Sequence, residues 1–532
     1  MKKILTVLII STFLFSVNAQ SKKYVMPSND INKWYSTGVF YEMYVRSFYD
    51  SNGDKYGDFK GVIEKIDYLK KLGISGLWLM PINDSEERTN NYDPVDYMAT
   101  DPTYGTMDEF KELISACHNN GIRVILDIVA NHTSSKHPFF IDASTNVDSK
   151  YRNWYVWSDK KDKKFHESPT GFYYAHFVNT KPDLNLENPE VIEYLKSVMR
   201  FWLDVGVDGF RFDAVTNFTD SEEKNQEIFR EFRKVLNEDA YKEKDLFVIA
   251  EASSIPYSKY LGNGKDMFNA VFDFKAASGF MRMVKNGAPF TKSGVNLVED
   301  IVRKYAEDKN FAVVNGSFYG TLLTNHDLFT GQFRPFREFE GNMEKTKLAG
   351  SLYITLPGIP FVYYGEEIAL DTPTSFKGDR FLRCCMQWDD SANAGFTTNA
   401  KSWNVINQNY PEYNVKKMEG DENSILNHYR KLINIRKENT ALSLGSFQSL
   451  PTIGKNETII AYYREFENNK IVVIHNFSDK KGKIKLDLTG TGLETGSPEF
   501  ETLLGDIKLS VKKNVLSSIS INPNSSVILK VK

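Results

Sequence analysis

The chain has 532 residues, which excludes a miniature disulfide scaffold and predicts several domains or one large barrel with appendages. Hydrophobic residues make up 41% and charged residues 25%, so the chain can bury a large core and lacks the composition of a disordered segment. Lys+Arg 66 against Asp+Glu 69 leaves a net charge of -3, and without a basic footprint neither DNA nor RNA is an expected partner.

The chain opens on Lys2 and Lys3, an apolar run from Ile4 to Val17, and the small-residue stretch Val17-Asn18-Ala19. This is the pattern of a secretory signal over residues 1–19, and about fourteen apolar residues are too few for a transmembrane span. Export to the periplasm, the medium or the cell surface is therefore expected, with no transmembrane span. The cysteines Cys117, Cys384 and Cys385 are odd in number and form no disulfide framework.

Short apolar runs then alternate with longer helical patterns. The predicted strands are Val39 to Val45, Gly76 to Met80, Arg123 to Val129, Gly209 to Ala214, Leu246 to Glu251, Ala270 to Phe274, Thr321 to Asn325 and Phe361 to Tyr364. Amphipathic segments such as Phe59 to Leu72, Met107 to Asn119 and Pro189 to Val205 lie between them, with apolar residues three and four apart. Eight such units predict an α/β fold, a closed (β/α)8 TIM barrel over 20–130 and 181–440. Residues 131–180 are rich in Trp, Tyr, Lys and Asp without periodicity, too long for a connection, and read as an inserted subdomain. From 441 to 532 the alternation of an antiparallel β-sandwich takes over.

In such a barrel the chemistry sits at the C-terminal ends of the strands. The third strand runs out into Asn131-His132, and the fourth reads Gly209-Phe210-Arg211-Phe212-Asp213. Residues two apart share a face, so Arg211 projects with Asp213, and a guanidinium there keeps that carboxylate ionised, as a nucleophile requires. The fifth strand is an apolar run ending in Glu251, where partial burial can raise the pKa into the range of a general acid. The seventh ends Thr324-Asn325-His326-Asp327, a third acid on the same rim. Three acids so placed suit glycosidic cleavage, which needs a nucleophile, an acid/base and stabilisation of an oxocarbenium-like transition state.

These residues resemble the motifs of the α-amylase family of retaining glycoside hydrolases, and the likeness extends from about Val39 to the C-terminal sandwich. The stretches concerned are Asp127 to His132, Gly209 to Ala214, Ile249 to Ala252 and Thr324 to Asp327. Further matches are Gly38 to Phe48, Lys181-Pro182-Asp183-Leu184-Asn185 and Gly358 to Glu367. The resemblance implies Asp213 as nucleophile, Glu251 as acid/base and Asp327 as the group that binds the distorted sugar. It further implies Arg211 orienting Asp213, His132 and His326 bonding sugar hydroxyls, Tyr92 stacking on the sugar, and Asp93 with Arg383 holding its non-reducing side. The substrate it implies is an α-glucan or malto-oligosaccharide.

The loop from Asp50 to Asp58 carries Asp50, Asn52, Asp54, Tyr56 and Asp58 at alternate positions, four side-chain oxygens and one backbone carbonyl suited to structural Ca2+. It resembles a calcium loop of bacterial members of the family, with Lys55 where they usually have Gly. Two other departures bear on specificity. Thr216 and Asn217 stand where many endo-acting members have Lys-His, and Ala250 precedes the acid where Gly is usual, as in relatives that convert maltose to trehalose. The stretch from Met386 to Val415 looks most like oligosaccharide-cleaving α-glucosidases. The expectation is retaining hydrolysis of α-glucosidic, mainly α-1,4, bonds; a transglycosidase or a catalytically silent glucan-binding protein are the alternatives.

Overall fold

The structure, a computed structural model, describes residues 22–26, 33–86, 90–253, 256–262, 266–308, 317–327, 333–373, 378–454, 456–494 and 498–532. The expected signal segment, 1–19, lies outside the described residues.

Eight parallel strands close into a barrel: Phe40–Met43, Gly76–Leu79, Arg123–Ile128, Gly209–Phe212, Phe247–Ala250, Ala270–Phe272, Phe318–Thr321 and Ile359–Tyr363. Side chains alternate across each strand, so one set fills the barrel and the other meets the surrounding helices. The inner set is strongly aromatic: Phe40, Trp78, Phe247, Phe272, Phe318 and Phe361 form a core of their own, with the Phe40 and Phe361 rings stacked at 4.6 Å. Because the barrel is packed with rings from below, the polar inward residues Asp127 and Arg211 are carried to its upper end. They sit side by side in the register of the third and fourth strands.

Many of the helices begin on a short polar side chain that takes up a free amide. Thr106 and Glu109 make a reciprocal capping box for Met107–Asn119, and Asn188 followed by Pro189 starts Pro189–Val205. Gly206 ends that helix at φ 118°, a conformation costly for any side chain.

The seventh strand differs from the expected Thr321 to Asn325: it is Phe318–Thr321. At Gly320 a Cβ would meet Ile249 Cδ1 at 2.8 Å and Phe272 Cδ1 at 2.9 Å, so the strand lies close against those side chains. Leu322 and Leu323 are buried beyond the end of the pairing, and Thr324 to Asp327 therefore emerge from a loop.

Residues 131–180 carry the helix Pro138–Thr145 and a three-stranded sheet of Trp157–Ser158, Gly171–Tyr174 and Phe165–Ser168. A second excursion, not foreseen, follows the second barrel strand: Asn83–Ser85 pairs with Pro94–Thr100, and Tyr92 and Asp93 directly precede the latter strand.

The C-terminal region folds into two antiparallel sheets of six and three strands around a shared apolar core. Lys23–Tyr24, expected with the barrel, is instead the edge strand of the six-stranded sheet, paired with Ser446–Ser449. Arg464 fixes this domain to the barrel region, donating to the Thr355 carbonyl at 2.9 Å, and also holds the Leu442 carbonyl of its own region at 2.9 Å. All three cysteines are buried and unbonded. Among the described residues no helix is long and apolar enough to cross a membrane.

Candidate active site

A cavity of about 420 Å³ opens at the C-terminal ends of the strands, lined by Tyr92, His132, Asp213, Glu251, Asp327 and Arg383 among others. At its floor lies Arg211, fully buried, surrounded by three carboxylates. Its Nη1 donates to both oxygens of Asp127, at 2.8 and 3.0 Å, and to Asp213 Oδ1 at 2.7 Å. Its Nη2 donates to Glu251 Oε2. Asp127 also accepts from the Tyr92 hydroxyl at 2.7 Å and from Trp78 Nε1 at 3.3 Å. A buried cation of this kind is tolerated because both terminal nitrogens have charged acceptors, although Nε finds none.

The turn that aims Asp213 is strained. Ala214 adopts φ 48°, a left-handed conformation that costs a non-glycine residue about 1 kcal/mol or more. In return its amide points at Glu251 Oε2, 3.1 Å away. Burial, the largest influence, pushes the Glu251 carboxyl up to about 8; Arg211 opposes the shift, and Asp213 and Asp327 add to it.

A second charged cluster holds Asp327. Its Oδ1 accepts from Arg383 Nη2 at 2.8 Å, and its Oδ2 lies 3.1 Å from His326 Nε2. On the other side of the ring, His326 Nδ1 meets Glu42 Oε1 at 2.6 Å. Burial alone would lower the His326 pKa, but Asp327 and Glu42 outweigh it and hold the ring at about 10, protonated on both nitrogens. Burial would likewise raise Asp327, yet His326 and Arg383 keep its carboxyl far below the usual range. Tyr92 joins the clusters: its hydroxyl bonds Asp127 and, at 2.8 Å, His326 Nε2, and its ring stacks on His326 at 5.3 Å.

Of the remaining sequence candidates, His132 lines the cavity with Nε2 donating to the Tyr92 carbonyl at 2.7 Å. Burial, then Lys181, lower its pKa to about 4, so the ring is neutral. Arg383 lines the cavity beside Asp327, while Asp93 is fully buried and absent from the cavity wall. The acidic loop closes on itself: Asp50 accepts from the amides of Gly53 and Lys55 at 2.8 Å, Asn52 from Asp54, Asp54 from Tyr56, and Asp58 from Gly61. Lys55 takes the left-handed position, φ 82°, and its ammonium lies 5.0 Å from the Tyr56 ring centroid. The segment after the eighth strand clamps the loop, with Thr397 donating to Asp50 and Asn399 to the Gly53 carbonyl at 2.8 Å. Among the described residues, no three Asp, Glu, His or Cys side chains converge closely enough to hold a metal by themselves.

Sequence reasoning assigned no role to Asp127, Glu42, Phe177 or Lys181. The first two are the buried partners of Arg211 and His326, and the last two line the cavity, Phe177 from the inserted subdomain and Lys181 from the residue that follows it. Asp127 and Glu42 carried a signal of their own, being acidic residues inside apolar strands, where an unpaired charge does not persist.

Comparison with known proteins agrees with this geometry. The family model "Alpha amylase, catalytic domain" matches residues 42–445, and "Alpha-amylase SusG C-terminal domain" matches 459–528. The chain is 38% identical to Alpha-amylase 3 of Dictyoglomus thermophilum, covering 84% of this chain and 85% of that one. It is 30% identical to an oligo-1,6-glucosidase of Parageobacillus thermoglucosidasius (85% and 92% covered) and 32% identical to the trehalose synthase/amylase TreS of Mycolicibacterium smegmatis (86% of each). The crystal structure of an α-amylase from H. orenii superposes with a TM-score of 0.80 at 33% identity, over 93% of this chain and 99% of that one. A catalytic-domain match over most of the chain, on a barrel that gathers its acids at the strand ends, makes this protein a glycosidase of the α-amylase family.

Proposed function

We propose that the protein hydrolyses α-1,4-glucosidic bonds in starch-derived chains or malto-oligosaccharides with retention of configuration. The observation that carries this reading is the Arg211 bridge between Asp213 and Glu251. Two carboxyl groups held by neighbouring nitrogens of one guanidinium lie close together, as retention requires; inversion needs roughly 6.5–9.5 Å to admit a water. Asp213, bonded to the cation, attacks the anomeric carbon and forms an ester as the glycosidic C–O bond breaks. Glu251, protonated below about pH 8, gives its proton to the leaving oxygen. In the second step Glu251 takes a proton from water, whose oxygen displaces Asp213. Asp327, kept anionic by His326 and Arg383, holds the sugar and opposes the positive charge that grows on its ring.

We also propose that Asp50, Asn52, Asp54, Asp58 and the Tyr56 carbonyl hold a calcium ion. The donor set supports this, being entirely hard oxygens on one short loop, and the ion would supply stability rather than chemistry. Export is proposed on the run from Lys2 to Ala19.

Proton NMR of the protein with maltoheptaose tests the main reading. Initial products in the α configuration are expected, their length reporting endo or exo action. Initial β products would refute retention. Trehalose or lengthened chains would favour transglycosylation, the reading suggested by the relative named trehalose synthase/amylase, and unchanged maltoheptaose would refute the assignment.

A further inference from the structure

Arg383 reaches the cavity from a backbone that is pinned outside it. Its carbonyl accepts from Ser47 Oγ and from Asn404 Nδ2, each at 2.7 Å, so two donors fill its two lone pairs. Its side chain donates from Nε to the His326 carbonyl at 3.1 Å and from Nη2 to Asp327 Oδ1 at 2.8 Å. Ser47 is fully buried at the end of the short turn Val45–Ser47 that follows the first barrel strand, and its hydroxyl accepts from Trp403 Nε1 at 3.1 Å. The Trp403 amide in turn donates to the Lys55 carbonyl of the acidic loop at 3.2 Å. Neither Ser47 nor Trp403 lines the cavity, and neither has a role in the mechanism above.

The direction of this relay is fixed at both ends. An indole N–H can only donate and a carbonyl can only accept, so one arrangement of the Ser47 hydroxyl satisfies both neighbours: oxygen toward Trp403, proton toward Arg383. The indole is itself held in place. Its ring meets Tyr44 edge-on at 5.6 Å and has the guanidinium groups of Arg46 and Arg380 at 5.8 and 5.6 Å, and Arg46 is fixed in turn by its buried ion pair with Asp101. The relay therefore sets the Arg383 backbone with little freedom. A retreat of that backbone by about 1 Å would carry Nη2 out of hydrogen-bonding reach of Asp327.

We propose that Ser47 and Trp403 are positioning residues: through the Arg383 carbonyl they set where the guanidinium stands against Asp327, and they tie that position to the acidic loop. The hold of the cavity on the sugar at Asp327 then depends on a relay that begins outside the cavity. The inference rests on the hydrolase reading above.

The test is KM for maltotriose, which does not depend on the fraction of a variant that folds. Ser47→Ala should raise it about three- to tenfold, the loss of one hydrogen bond. Trp403→Phe keeps a ring against Tyr44 and drops the N–H; it should raise KM in the same direction, and the double variant should be no worse than Ser47→Ala alone. In an Arg383→Ala background, Ser47→Ala should have no further effect. Trp388→Phe separates positioning from mere support: Trp388 Nε1 bonds the same segment, but at the Phe48 carbonyl, 2.7 Å away, so this variant should lower Tm and leave KM as it is. An unchanged KM in Ser47→Ala or Trp403→Phe, an equal rise in Trp388→Phe, or a further rise from Ser47→Ala in the Arg383→Ala background would overturn the proposal. A wild type that leaves maltotriose intact would refute the hydrolase reading, and this inference with it.

Discussion

Replacing Glu251 by Gln keeps the shape of the side chain and removes the proton the mechanism depends on. With its pKa pushed to about 8, chiefly by burial, the carboxyl is protonated at pH 7 in about nine molecules of ten; at an ordinary glutamate value near 4.3 the fraction would be about one in five hundred. General acid assistance contributes about 10²–10⁴, so E251Q should lose that much in kcat/KM for maltotriose, whose departing alkoxide needs the proton. The loss should be much smaller for formation of the glycosyl-enzyme from 4-nitrophenyl α-glucoside, because nitrophenolate leaves unprotonated. In the wild type, kcat/KM for maltotriose should fall about tenfold per pH unit above an inflection near 8, and E251Q should lack that limb. The assay is initial rates from about pH 5 to 9.5 on both substrates, with the thermal melt of E251Q as the folding control. Wild-type rates on maltotriose, or the same alkaline limb in the variant, would refute the assignment of the proton to Glu251.

Glu366 is buried with Oε1 accepting from Tyr353 at 2.9 Å and Tyr429 at 2.7 Å and no partner at Oε2, and burial pushes its carboxyl up to about 8. The folded protein therefore binds this proton more tightly than the unfolded chain. Its contribution is fully present below the unfolded value near 4.3 and is lost as pH rises to about 8. Glu366→Gln mimics the protonated form and should raise Tm by roughly 2–4 °C at pH 8 while changing it little at pH 5; an equal shift at both pH values would contradict this origin. For the acidic loop, chelation with EGTA should lower Tm in the wild type, and Asp54→Ala, a change at an exposed position of the proposed calcium site, should abolish the response. A wild-type Tm indifferent to EGTA and to added Ca2+ would rule out the metal.

Much of this site is readable locally. Strand periodicity alone puts Arg211 and Asp213 on one face, and an apolar run that stops at Glu251 forecasts a carboxyl half out of water. Eight strand-and-helix units announce the barrel because each apolar face must be buried against a neighbour, whatever the order of closure. Tertiary structure decided what depends on residues far apart in the chain. Asp127 becomes the partner of Arg211 only through the register of adjacent strands, and Tyr92 reaches both charged clusters only because a separate hairpin excursion lays it over the barrel. The seventh strand lies through Gly320 against Ile249 and Phe272, a contact no local pattern encodes. The strand Lys23–Tyr24 pairs across more than four hundred residues, and His176 meets Asn217 from another subdomain. Periodicity and composition report which face of an element is buried; which neighbour buries it, and so which charges meet, is set by chain closure in three dimensions.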